Sequence, residues 1–173
     1  MKLFKFTLII TYFLCLNSTL NAEIPHYLDF KFILNSSTSG KKAQDYLKNS
    51  LEKGLKNISE KEKKILDEEK EIINQKKILS PEDYKKKVSE LRKKVVNLQK
   101  ERKTLLESVA KKRSKAKEVL LKNLNPIVKD YMKEKKIRMV VDKKSILLAD
   151  SNLDVTKDII DLLNKKLKSI NLD

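Results

Sequence analysis

Between Lys41 and Asn123 the chain has one proline, Pro81, and one glycine, Gly54. Proline and glycine are the residues that most often end helices, so a stretch this long and nearly free of them can stay helical throughout. The sequence predicts two helices, from Lys41 to about Leu79 and from Pro81 to about Asn123. At 1.5 Å per residue each would be ~60 Å long. Between them stands Ser80-Pro81-Glu82-Asp83. Ser80 suits an N-cap, Pro81 suits a first helical turn, and the acidic pair suits the positive end of the helix. A tight reversal is expected there.

Periodicity says how the two helices meet. In the second, Tyr84, Val88, Leu91, Val95, Leu98, Arg102, Leu105, Val109, Lys112, Ala116 and Val119 follow alternating steps of four and three, which is a heptad seam. In the first, Leu51, Ile58, Ile65, Ile72 and Leu79 repeat every seven residues, while the column that begins at Leu55 continues as Glu62, Glu69 and Lys76. An antiparallel two-helix coiled coil with a thin, half-polar contact follows. A further set, Leu66, Ile73, Val96, Leu106 and Leu120, comes one position after seam residues and so lies ~100° around the helix from them. These side chains either widen the contact inside the hairpin or form a sideways apolar strip offered to a client or a neighbouring arm.

The ends of the chain read differently. Ile24 to Asp29 is short, apolar and aromatic, a strand that Pro25 confines to an edge. Asn35 to Gly40 is a breaker rich in serine. Asn125-Pro126 is expected to end or kink the second long helix, with a shorter helix from Ile127 to Lys135 packing back. Ile137 to Val141 and Ile146 to Ala149 look like a β-hairpin joined through Asp142-Lys143-Lys144-Ser145. Thr156 can cap a last helix, with Val155 and Ile160 as a hydrophobic staple and Ile159, Leu163, Leu167 and Ile170 along one face. The reading is therefore α+β: a small β-rich association base, residues 23–40 and 123–173, with a long helical hairpin, residues 41–122, inserted into it and a tip near 80–83. A base this small buries little apolar surface, so association between chains is expected.

Met1 to Lys5 is basic, Phe6 to Leu16 is mainly apolar, and Ser18 to Ala22 is mostly small or polar. That is the layout of a secretory signal peptide over residues 1–22, too short in its apolar run to serve as a spanning helix. Its removal takes away Cys15, the chain's only cysteine, leaving no thiol in an oxidising compartment. Two glycines leave no phosphate-cradling loop, so nucleotide-driven work is not expected. One histidine, His26, leaves no metal cluster and no nucleophile-histidine constellation, so neither a cofactor nor an enzyme activity is expected.

The net charge is +16. Residues 41–122 hold 26 basic and 14 acidic side chains, so most of the excess sits on the predicted hairpin. Lys76, Lys77, Lys85, Lys86, Lys87, Arg92, Lys93, Lys94, Lys111, Lys112 and Arg113 make the tip and second helix its most cationic part. Any single lysine on a coiled coil is ordinarily solvated surface, but the collective excess points to an anionic partner. Unfolded acidic clients and anionic lipid surfaces fit. Nucleic acid would fit by charge, yet only Tyr46 and Tyr84 are available on the hairpin to stack on bases. An envelope-tethering coiled coil is the other alternative.

The order strand, long basic hairpin, short helix, β-hairpin and final helix resembles the Skp (OmpH) family over nearly the whole exported chain. The closest local matches are Tyr27-Leu28-Asp29 with Ser39-Gly40-Lys41-Lys42-Ala43, and Val140-Val141-Asp142 with Asp154-Val155-Thr156-Lys157-Asp158-Ile159. The resemblance implies a homotrimer with projecting, tentacle-like arms. It also implies ATP-independent holding of unfolded outer-membrane β-barrel proteins in the periplasm, and it leaves binding of lipopolysaccharide surfaces open.

Overall fold

The computed structural model describes residues 24–172. The signal-peptide reading of residues 1–22, and Cys15 with it, lies outside them. Strand β1 (His26–Leu28) leads into helix α1 (Phe30–Ser36), whose first turn is capped by the Asp29 carboxylate accepting from the Phe32 N–H at 2.7 Å. Helix α2 (Thr38–Gln75) begins after one extended residue, Ser37. That serine serves both helices. Its N–H donates to the Ile33 carbonyl that ends α1, and its hydroxyl accepts from the Gly40 N–H at 3.2 Å to start α2. The breaker foreseen at Asn35 to Gly40 is thus a single fully buried residue, with helix on both sides.

After the tip, Ser80 caps helix α3 (Pro81–Glu134) by accepting from the Asp83 N–H at 3.1 Å, with Pro81 in the first turn. Pro126 does not end this helix, and the separate helix expected from Ile127 to Lys135 is its continuation. Pro126 can donate no hydrogen bond to the carbonyl four residues earlier, but Leu124 and Ile127 on either side of it are buried in one core and hold the axis through it. The helix stops at Lys136, which takes a left-handed φ of 57°. There the Lys136 N–H reaches back to Lys133 and the Ile137 N–H to Met132, the paired bonds of a Schellman motif with lysine where glycine is usual.

Strand β2 (Val140–Asp142) pairs with β1 in parallel, His26 beside Val140 and Leu28 beside Asp142. The expected β-hairpin from Ile137 to Ala149 does not form. The Asp142 carboxylate accepts from the Lys144 N–H at 3.1 Å and closes a 3-10 turn (Lys143–Ser145) in place of a hairpin loop, and Ile146 to Ala149 then run without a strand partner among the described residues. A parallel pair needs a long crossover, and here the whole helical hairpin supplies it. Two short strands make the base mostly helical, not β-rich.

Helix α4 (Thr156–Lys166) closes the base. Thr156 does not cap it by its side chain. Val155 holds the cap position, Asp154 accepts from the Thr156 N–H, and the Thr156 hydroxyl instead accepts from the Asp29 N–H at 2.8 Å, linking the starts of α1 and α4. Asn164 similarly accepts from the Thr38 N–H at 2.7 Å. Ile33, Ile159 and Leu163 are fully buried, and Leu28, Leu120, Leu124, Ile127 and Val155 complete the core around them, with Ile160, Leu167 and Ile170 packed on its side. The Tyr131 hydroxyl donates to Asp158 across α3 and α4. Partial burial, and then this acceptor, pushes its pKa up to about 12.

Two buried hydroxyls should respond oppositely to removal. Thr156→Val leaves the Asp29 N–H without its acceptor, and is expected to cost about 1–2 kcal/mol. Ser39→Ala removes a fully buried hydroxyl that has no hydrogen-bond partner among the described residues, so denaturant unfolding should show a neutral or stabilising change of up to ~1 kcal/mol.

Candidate functional site

Helices α2 and α3 lie antiparallel. Lys61 meets Glu101, Glu62 meets Arg102 at 2.6 Å, Glu68 meets Lys94 at 2.7 Å, and Gln75 meets Lys87 at 2.7 Å, so residue numbers fall along one helix as they climb along the other. Ile58, Ile72, Leu98 and Ala116 are buried along the line of contact, and most other seam residues are half-buried. Two polar seam positions answer each other: Glu62 from the interrupted column of α2 binds Arg102 from the seam of α3. Gly54 lets the Leu105 side chain lie against the α2 backbone, where a methyl group would come within 2.5 Å of Leu105 Cδ1.

These contacts fix which way each side chain points. At 100° per residue Lys61, Glu68 and Gln75 all fall on one flank of the α2 seam, and their partners Glu101, Lys94 and Lys87 on the matching flank of α3. That side of the hairpin is bridged. On the opposite flank stand Leu66, 53 % exposed, Ile73, 58 %, and Leu106, 50 %, three members of the apolar strip expected from sequence. Leu55 and Val95, each 41 % exposed, stand there too although the heptad period puts both in the seam. A signal for Leu55 was present, because its column continues in charged residues that draw that edge toward water. Glu62–Arg102 lies on this side.

The strip loses two expected members. Leu120 is 4 % exposed and belongs to the base core, because α1 and α4 wrap that level of α3 and cover the face that is open nearer the tip. Val96 is exposed but lies ~160° around α3 from Leu98, on the back of the hairpin and not on its flank.

The predicted cations divide in the same way. Lys87 and Lys94 are held in cross-helix contacts, Lys112 donates to the Tyr46 hydroxyl at 2.9 Å and lies over its ring, and Lys76 lies over Tyr84. Lys77, Lys85, Lys86, Arg92, Lys93, Lys111 and Arg113 have no ion-pair partner among the described residues. They leave a strong positive potential around the tip and the second helix. Among the described residues no group of three or more His, Cys, Asp or Glu side chains could hold a metal, and no helix is long and apolar enough to cross a membrane. In the base, Leu147 and Leu148 are almost fully exposed, and a groove is lined by Leu124, Val128, Met132, Met139 and Val140.

Residues 26–163 match the sequence profile of the outer membrane protein (OmpH-like) family. The chain belongs to the OmpH-like family. A crystal structure of an OmpH-like protein from Caulobacter crescentus CB15, a candidate outer membrane chaperone, is similar with a TM-score of 0.81 and 18 % identity over 91 % of this chain and 94 % of that one. At that identity the likeness speaks for the fold. No curated protein sequence matches this OmpH-like chain.

Proposed function

We propose that this OmpH-like chain is an ATP-independent periplasmic holdase that binds unfolded outer-membrane β-barrel proteins and keeps them from aggregating. The observation that carries the proposal is the coexistence on one hairpin of cations with no ion-pair partner among the described residues and half-exposed aliphatic side chains. The cations attract net-acidic chains over a distance set by ionic strength, and the aliphatic side chains then hold apolar segments through many weak contacts. Release follows when the client buries those segments elsewhere, so no nucleotide enters the cycle. Self-association as a homotrimer, with Leu147 and Leu148 covered between copies, agrees with the small base. Family membership supports the chaperone role. An envelope-tethering rod would carry no affinity for unfolded chains, and a nucleic-acid binder would need stacking residues beyond Tyr46 and Tyr84.

The test is to dilute a urea-unfolded outer-membrane β-barrel protein into buffer with the purified chain and follow light scattering. Suppression at a few-fold molar excess is expected, while unchanged scattering would rule out the holdase. A parallel titration with duplex DNA checks whether charge alone accounts for binding. Salt supplies an independent prediction. Raising it from about 0.05 to about 0.5 M shortens the screening length several-fold, so the capture rate in stopped-flow fluorescence should fall on the order of tenfold, with dissociation changed much less.

A further inference from the structure

The cross-helix contacts make the two sides of the hairpin chemically different, and this has a consequence for where a client sits. On the bridged side Lys61–Glu101, Glu68–Lys94 and Gln75–Lys87 spend their polar groups on each other, and no exposed aliphatic side chain lies among them. On the other side Leu55 stands level with Leu106 and Leu66 level with Val95, in the register that the bridges set, and Ile73 continues the row toward the tip. Leu55 to Ile73 spans ~27 Å at 1.5 Å per residue, the length of about eight residues of extended chain. Arg92 and Arg113, with no ion-pair partner among the described residues, flank the row on this same side; of the two carboxylates in the Leu55 column, Glu62 is bound to Arg102 and Glu69 is exposed.

We infer that the hairpin engages its client through this one flank only, and that the segment held there is an unfolded, extended stretch of about eight residues with apolar side chains set among acidic ones. Resting on the holdase reading, this names the face that performs it and the chemistry of what it takes. The aliphatic row receives the apolar side chains, and the flanking cations receive the carboxylates between them. The bridged flank contributes rigidity to the arm and no contact to the client.

Because Cys15 is the only cysteine, a Cys15→Ser background accepts single cysteines anywhere else. Leu66→Cys and Leu106→Cys report on the open flank. Asn57→Cys and Ser108→Cys, both exposed, report on the bridged one. Each would be labelled with benzophenone maleimide, mixed with the urea-unfolded β-barrel protein on dilution, and irradiated. The expected result is at least fivefold more crosslinked client from the open flank, with helicity equal in all four variants. Equal yields from the two flanks would overturn the one-sided assignment while leaving the holdase standing. Crosslinks between copies of the chain in place of client would overturn it too, by showing that the row is an interface. Absence of client crosslinks at all four sites would remove the holdase reading and this inference together.

Discussion

Serine at Leu55, Leu66, Ile73, Val95 and Leu106 together is expected to weaken protection of an unfolded β-barrel protein on the order of 50-fold, and serine at Val96 alone to change nothing. The magnitude follows from burial. With ~25 cal/mol for each Å² of apolar surface covered, about 0.5 kcal/mol of added burial per side chain gives ~2.5 kcal/mol over the row. The five positions are already 41 % to 58 % exposed, so their loss should leave circular dichroism nearly unaltered. A large drop in helicity would instead show that they support the hairpin contact. Val96 is the internal control, since it is among the more exposed of the aliphatic side chains and yet lies off the flank.

The largest effect on stability is expected at Gly40. A methyl group there would overlap the Leu34 carbonyl oxygen and crowd the Ser37 hydroxyl that caps α2, and a backbone atom cannot swing aside as a side chain can. Gly40→Ala should cost about 2–3 kcal/mol as an overpacked buried site. For a chain of this size that lowers the melting temperature by roughly 5–10 °C. Gly54 is the contrast. An alanine there meets only the end of the Leu105 side chain, and alanine in a helix interior gains up to ~1 kcal/mol over glycine, so Gly54→Ala should fall within about 1 kcal/mol of the parent. Thermal unfolding of both variants separates a backbone clash from a side-chain one.

These two sites show what could be read from the sequence and what could not. The long helices and the tip were legible, because the absence of breakers, the Ser80-Pro81 start and the heptad steps are all local signals. The burial of Ile58, Ile72 and Leu98 along the seam follows directly from them. Leu120 was misread because it lies at the same helical angle as strip residues, and only the packing of α1 and α4 at that level buries it. Helix α1 went unread, since Phe30 to Ser36 spans barely two turns and its start depends on the Asp29 cap. The pairing of β1 with β2 joins segments more than a hundred residues apart, which no local pattern encodes. Val140 and Val141 made a strand visible but not its partner. Thr156 shows the same limit: a threonine before a helix reads as a cap, and its acceptor role toward Asp29 exists only once the two ends of the chain have met. The sidedness of the hairpin was hidden for a related reason. Leu66 and Ile73 carry the period, but the ion pairs to α3 decide which flank is closed.

In the proposed mechanism the hairpin, and not the base, holds the client. Cutting α2 back to Gly54 and α3 back to Leu105, which face each other, and joining them through the native turn at 76–80 removes Leu55, Leu66, Ile73 and Val95, leaving Leu106 alone of the row, while keeping every residue of the base core. With thermal unfolding of the base retained, this shortened chain should fail to suppress aggregation of the unfolded β-barrel protein at any molar ratio that suffices for the parent. Protection equal to the parent's would instead place client binding on the base.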